Sequence, residues 1–216
     1  MAIVINGSGT VTGISVGGLP DSIVDAGTLA DNAVGLAQMA GGTDGNIITY
    51  DASGNPAAVA TGSSGQVLTS AGAGAAPTMA TGTGFHAHNS VAQSISITTT
   101  TKILFQTEIY DHTSNYASSR FTIPSDGKYY LYTNLMLSAM ADQGFANLVI
   151  RKNASTDMVY HTLRGSSTGY VSTSAFVTVD ADADDYFEVF LYNTAACDVN
   201  YTSTGSYTTF GGFKLI

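Results

Sequence analysis

From residue 85 onward apolar and polar side chains alternate with a period of two, and turn-forming residues interrupt the runs at short intervals. That pattern predicts an all-β sandwich. Ten strands are expected, near residues 85–92, 102–110, 120–123, 128–138, 145–153, 158–164, 170–179, 186–193, 198–202 and 207–216. Two of them depart from simple alternation. In GKYYLYTNLML, Tyr129, Leu131, Leu135 and Leu137 fall on one face while Tyr130, Tyr132 and Met136 fall on the other. In DYFEVFLYN, Phe187, Val189 and Leu191 alternate with Tyr186, Phe190 and Tyr192. A strand covered on one side only should turn a polar face to water. The second face here is aromatic, so Tyr130, Tyr132, Tyr186, Phe190 and Tyr192 are expected at a subunit interface, where such residues are enriched.

The first 84 residues follow other rules. Residues 1–20 are short β-prone runs broken by glycine. A short helix is expected over 28–39, with Thr28 as N-cap and Leu29, Ala33, Leu36 and Ala40 along one face. Residues 42–84 contain a repeat with a 20-residue period: GNIITYDASGNPAAVATG (Gly45 to Gly62) is answered by GQVLTSAGAGAAPTMATG (Gly65 to Gly82). Each unit reads as strand, turn, strand. The expected organisation is an anchoring segment at 1–41, two β repeats at 42–84 and a sandwich head at 85–216.

Composition sharpens that division. Before residue 85 there are five aspartates, no lysine, arginine, glutamate or histidine, one aromatic (Tyr50), and 17 of the 24 glycines. A segment so poor in large side chains cannot offset its own ordering entropy. It is too apolar for plain disorder, so it is expected to share a core with neighbouring chains, as a thin Gly-rich trimeric stalk. The formal net charge is −9 with no basic patch, which argues against nucleic-acid binding. Insertion into a membrane is not expected, because no run of about 20 apolar residues occurs. The first residues lack the basic flank and apolar core of a secretory signal. The lone Cys197 forms no CxxC motif.

Chemistry is sparse. Residues 165–169 spell G-x-S-x-G, but a nucleophile elbow needs a helix after its serine, and a strand is expected here. Asp180, Asp182, Asp184 and Asp185 lack the spacing, central glycine and closing glutamate of an EF-hand. An acidic turn is the simpler expectation. No enzymatic activity and no cofactor are expected. One candidate metal site stands apart: His86 and His88 point the same way in a strand, and three copies on a threefold axis would offer six imidazoles to a transition metal.

FQTEIYDHTSNYASSRFTIPSDGKYYLYTNLML (Phe105 to Leu137) resembles the signature of complement globular-head domains within the TNF-like jelly rolls, with Phe105, Tyr116, Phe121, Pro124, Gly127 and Tyr130 on its marked positions. FGGFKLI at the end resembles that family's closing strand, while Tyr132 and Ser119 are mild departures. The resemblance implies a ten-stranded jelly roll assembling as a homotrimer. GTVTGISVGGLP and the tandem repeat resemble modules of bacteriophage tail and appendage fibres, in which His-x-His pairs also occur at some tip axes. That second resemblance implies a structural virion protein, assembled in the host cytoplasm and anchored to other virion proteins through its N-terminal segment. Its head would bind a host cell-surface glycan or protein, through loop residues such as Asn115, Tyr116, Gln143, Tyr170 and Tyr201. The rival expectation is a capsid-decorating head fibre or cement protein.

Overall fold

The computed structural model describes residues 4–5, 11–12, 41–138, 140, 144–166, 169–201 and 207–216. The chain divides into two compact units, Met1–Asn46 and Ile47–Ile216. In the first, β1 (Val4–Ile5) and β2 (Val11–Thr12) form an antiparallel ribbon with Ile5 opposite Val11. The helix expected over 28–39 lies outside the described residues. Among the described residues there is no helix, and hence none long and apolar enough to cross a membrane.

The second unit opens with the repeats. Each is a hairpin: β3 (Ile47–Tyr50) pairs β4 (Pro56–Val59), and β5 (Val67–Thr69) pairs β6 (Thr78–Ala80). The 20-residue period is visible in the backbone. Gly45 and Gly65 both adopt positive φ (81° and 86°), as do Gly54 and Gly74 (80° and 78°). The amides of Asn46 and Gln66 donate to the carbonyls of Thr43 and Ser63 at 3.2 and 3.1 Å. Left-handed backbone is open to glycine without steric cost, so the repeated glycines fix where each hairpin turns. Ile48, Tyr50, Val67 and Leu68 remain exposed in the single chain.

The head contains β7 (Gly84–His88), β8 (Gln93–Ile95), β9 (Thr100–Lys102), β10 (Thr107–Asp111), β11 (Tyr116–Ala117), β12 (Arg120–Thr122), β13 (Gly127–Leu137), β14 (Phe145–Lys152), β15 (Thr156–Arg164), β16 (Val171–Ala181), β17 (Tyr186–Asn193), β18 (Cys197–Val199) and β19 (Thr209–Lys214). They form two sheets. One runs β10-β7-β19-β13, with β16 paired along the whole of β13 and β18-β8 joined at its far end; the other runs β11-β12-β17-β14-β15, with β9 added on β17. Consecutive strands β12 to β17 change sheet repeatedly, and the last strand returns between β7 and β13. This is the connectivity of a jelly roll.

Every expected strand is present, but the head is cut into more than ten pieces. The expected strand at 102–110 splits: β9 belongs to one sheet and β10 to the other. Between them Ile103 and Phe105 are buried, so the crossing chain plugs the end of the sandwich. The core joins Leu131, Leu135, Leu148, Ile150, Val189 and Leu191 from the two inner faces. At one end of it Phe85 stacks on Phe121 (4.3 Å between centroids) and Tyr116 (5.0 Å) and meets Phe210 edge-on (4.9 Å). Rings packed in this way add about 0.5–1.5 kcal/mol per pair beyond their burial.

Candidate functional site: the outer faces of the two sheets

The alternation in β13 is realised residue by residue. Tyr129, Leu131, Thr133, Leu135 and Leu137 are buried, while Tyr130, Tyr132, Asn134 and Met136 are half-buried on the outer face. Register continues that face across the sheet. Tyr132 lies opposite Phe176 on one side and Gly211 on the other, Gly211 opposite His86, and His86 opposite Tyr110. One residue pair further along, Tyr130 lies opposite Thr178 and Phe213. The rings form a continuous band, with Tyr130 5.5 Å from Phe213, 6.5 Å from Phe176 and 6.1 Å from Tyr132. Phe176 is 64% exposed and Phe213 43%.

Gly211 explains how the band closes at its centre. A Cβ there would run into the Tyr132 ring and approach His86 Nδ1 to 3.0 Å. Its absence lets Tyr132 Oη and His86 Nδ1 meet at 2.8 Å. Burial, with a smaller push from His88, holds the His86 imidazole below its usual range. Burial, with Tyr110 nearby, pushes the Tyr132 phenol up to about 12. Both groups are therefore neutral at pH 7, which favours the hydroxyl as donor and the imidazole as acceptor. Gly212 performs the same service on the inner face, where a Cβ would strike Leu131 and the Tyr130 carbonyl.

His86 and His88 do share this face, as the spacing requires. Each already uses one ring nitrogen within the chain: His88 Nδ1 meets the Asn89 carbonyl at 3.0 Å. Among the described residues no three His, Cys, Asp or Glu side chains converge on a point that could hold a metal. Any ion would need only the Nε2 atoms, from several copies at once.

The five aromatics expected at one interface lie on opposite sheets. Tyr130 and Tyr132 belong to the band. Tyr186, Phe190 and Tyr192 lie on the outer face of β17, where arginines of their own chain cover the first two. The Arg120 guanidinium sits 3.8 Å from the Tyr186 ring centroid and Arg151 sits 4.7 Å from that of Phe190. Between these rings Glu188, 3% exposed, accepts from Lys102 Nζ at 2.7 Å and Arg120 Nε at 2.9 Å. Burial alone would raise this carboxyl, but those two hydrogen bonds and charges outweigh it and hold it below its usual range. Cation–π and ionic contacts thus satisfy a face that alternation alone marks as sticky.

The loop residues also separate. Tyr116 is a correction: it is 5% exposed, its hydroxyl donates to the Phe105 carbonyl at 2.9 Å, and its ring stacks on Phe85. Asp111 enforces this by accepting the Tyr116 amide at 2.7 Å, which turns the side chain into the core. Asn115 is half-buried and donates to the Thr113 carbonyl. Tyr170 and Tyr201 are exposed, and Gln143 lies outside the described residues.

The remaining motifs are structural. Gly165 and Ser166 follow β15 and precede β16, so a strand and not a helix follows the G-x-S-x-G string. Asp180 pairs with Lys128, and Asp185 pairs with Lys152 and accepts from Asn153, in the turn between β16 and β17. Cys197 is buried, and that burial, helped by Asp198, pushes its thiol up to about 11. Such a thiol is inert near neutrality.

Sequence reasoning missed Phe176, Phe213 and Tyr110. The signal for Phe176 was available: in VSTSAFVTVD it is the one aromatic on the strand's polar phase, among Ser172, Ser174, Thr178 and Asp180.

The fold defines the class, a two-sheet jelly-roll domain preceded by paired hairpins. Among solved structures the chain is similar to the globular domain of zebrafish complement 1qA protein, at 11% identity and TM-score 0.46, over 62% of this chain and 98% of that one. It is also similar to murine APRIL, at 13% identity and TM-score 0.49 over 62% and 98% in the pH 8.5 crystal, and at 14% and 0.48 over 62% and 99% at pH 5.0. No family model and no curated protein matches it.

Proposed function

We propose that this chain is a structural virion protein, a homotrimeric phage fibre whose head carries out attachment to the host. The observation that supports the reading is the apolar surface a single folded chain leaves uncovered. Phe176, Phe213, Tyr130 and Tyr110 form a contiguous aromatic band on one sheet, and the hairpins expose Ile48, Tyr50, Val67 and Leu68. Surfaces of this kind mark association sites. A second and third copy of the chain supply matching apolar surface for both regions at once. The resemblance of residues 1–84 to fibre modules supplies the virion context, with the N-terminal segment as the anchor to other virion proteins.

The test is an exchange of residues 84–216 for another trimeric head within the particle. Incorporation should be retained, and adsorption to host cells should be lost or redirected. Unchanged adsorption would refute the attachment role and leave capsid decoration as the function.

A further inference from the structure

The outer face of the β17-β14-β15 sheet carries a cleft that the aromatic band does not share. Register places Tyr192 beside Asn147 and Tyr160 beside Val149, with Arg151 beside Asp157 one step further. These residues line a concavity of about 290 Å³, close to the ~300 Å³ at which small-ligand sites begin. Val149, 4% exposed, forms an apolar floor, and Tyr160, 58% exposed, stands at the rim.

The polar groups are already partly fixed. Asn147 is 7% exposed; its Oδ1 accepts from Thr162 at 2.9 Å, and its Nδ2 makes no hydrogen bond among the described residues. Asp157 uses Oδ1 to accept from Arg151 Nε at 2.6 Å, which leaves Oδ2 as an acceptor. The cleft therefore presents an amide donor at one end, a carboxylate acceptor beside Arg151, four residues further along β14, and tyrosine rings beside them.

We infer that this cleft binds a neutral pyranose unit of a saccharide. Pyranose hydroxyls both donate and accept, so one edge of the ring can face Asp157 Oδ2 and the opposite edge Asn147 Nδ2, at positions four residues apart along β14, while the C–H face of the sugar lies on Tyr160. A purely apolar ligand would take the Asn147 amide out of water without pairing it, at the cost of a lost hydrogen bond. An anionic ligand, such as a sialylated or sulfated glycan, needs an unpaired cation. Here Arg151 is already neutralised by Asp157, and the chain's net charge of −9 opposes anions further. Placing this site in host attachment rests on the proposed function; saccharide binding itself does not.

The experiment uses the full chain on an array of neutral, sialylated and sulfated glycans. Methyl glycosides of glucose, galactose, mannose and N-acetylglucosamine follow, in saturation-transfer NMR. Binding should be confined to neutral glycans, with transfer strongest to the ring protons facing the protein. Tyr160→Ala, a change at an exposed side chain, and Asp157→Asn should each weaken binding about tenfold or more, the equivalent of about 1.4 kcal/mol. Val91→Ala, at an exposed side chain outside the cleft, should leave it unchanged. Absence of neutral-glycan binding in both assays, or binding that survives both cleft substitutions, overturns the inference. If head exchange abolishes adsorption but no saccharide binds, the site alone falls. If saccharide binds through Tyr160 but adsorption ignores the head, the attachment role falls instead.

Discussion

At the residue scale, two positions carry consequences out of proportion to their size. Gly211 has no side chain, yet the contact between Tyr132 and His86 depends on that vacancy. Gly211→Ala should displace the Tyr132 ring and destabilise the head by about 1–3 kcal/mol, the usual cost of overpacking. A denaturant titration checks this, with loss of the Tyr132 contact visible as increased tyrosine exposure. Glu188 makes a different prediction, about pH. Its folded carboxyl is held below the usual value of 4.5, while the unfolded one titrates there. The unfolded chain therefore takes up this proton first, so its contribution is fully present above pH 4.5 and is lost as pH falls through the folded value. Thermal melts between pH 6 and pH 3 should show this acid limb, and Glu188→Gln should flatten it.

At the element scale, the hairpin repeats show how a glycine pattern becomes geometry. Gly65 adopts φ of +86° with open space where a Cβ would sit. Gly65→Ala should therefore cost only the backbone term, about 1 kcal/mol, whereas Gly41→Ala, with open space and no positive φ, should be nearly neutral. Amide exchange at Val67 to Thr69 is the readout, because local opening of a hairpin need not melt the head. The same scale explains β9 and β10. A run with unbroken β propensity was divided because its middle, Ile103 to Phe105, gains more from closing the sandwich than from continuing a ladder.

At the scale of the whole molecule, the question is what covers the aromatic band. Phe176→Asp puts a charge on an exposed side chain of an edge strand, so the fold should survive it. If copies associate through this face, the wild type should sediment with three times the chain mass at micromolar concentration, and the variant should sediment as one chain with unchanged circular dichroism. A wild-type monomer would refute the assembly. Residues 84–216 alone should fold, because their core is self-contained; hairpins exposing Ile48, Val67 and Leu68 have no such core.

Much of this was legible along the chain. Alternation in β13 and β17 separated core from outer face correctly, because a strand's period is fixed by backbone geometry and needs no partner. The repeat announced its hairpins because left-handed turns restrict which residues can occupy them. Other features needed the folded molecule. Nothing local shows that the outer aromatics of β13 and β17 face opposite ways, or that arginines from β12 and β14 cover Tyr186 and Phe190 and leave the β13 band bare. Tyr116 looks like a loop tyrosine until Asp111 and Phe85 are brought beside it. The cleft at Tyr160 draws on four strands whose order no linear pattern encodes. Periodicities, turns and the division between a core-poor front and an aromatic-rich head can be read along the chain, because they follow from local sterics and composition. Which aromatic face is satisfied and which polar groups converge emerges with the folded chain, because cross-sheet neighbours are chosen by topology.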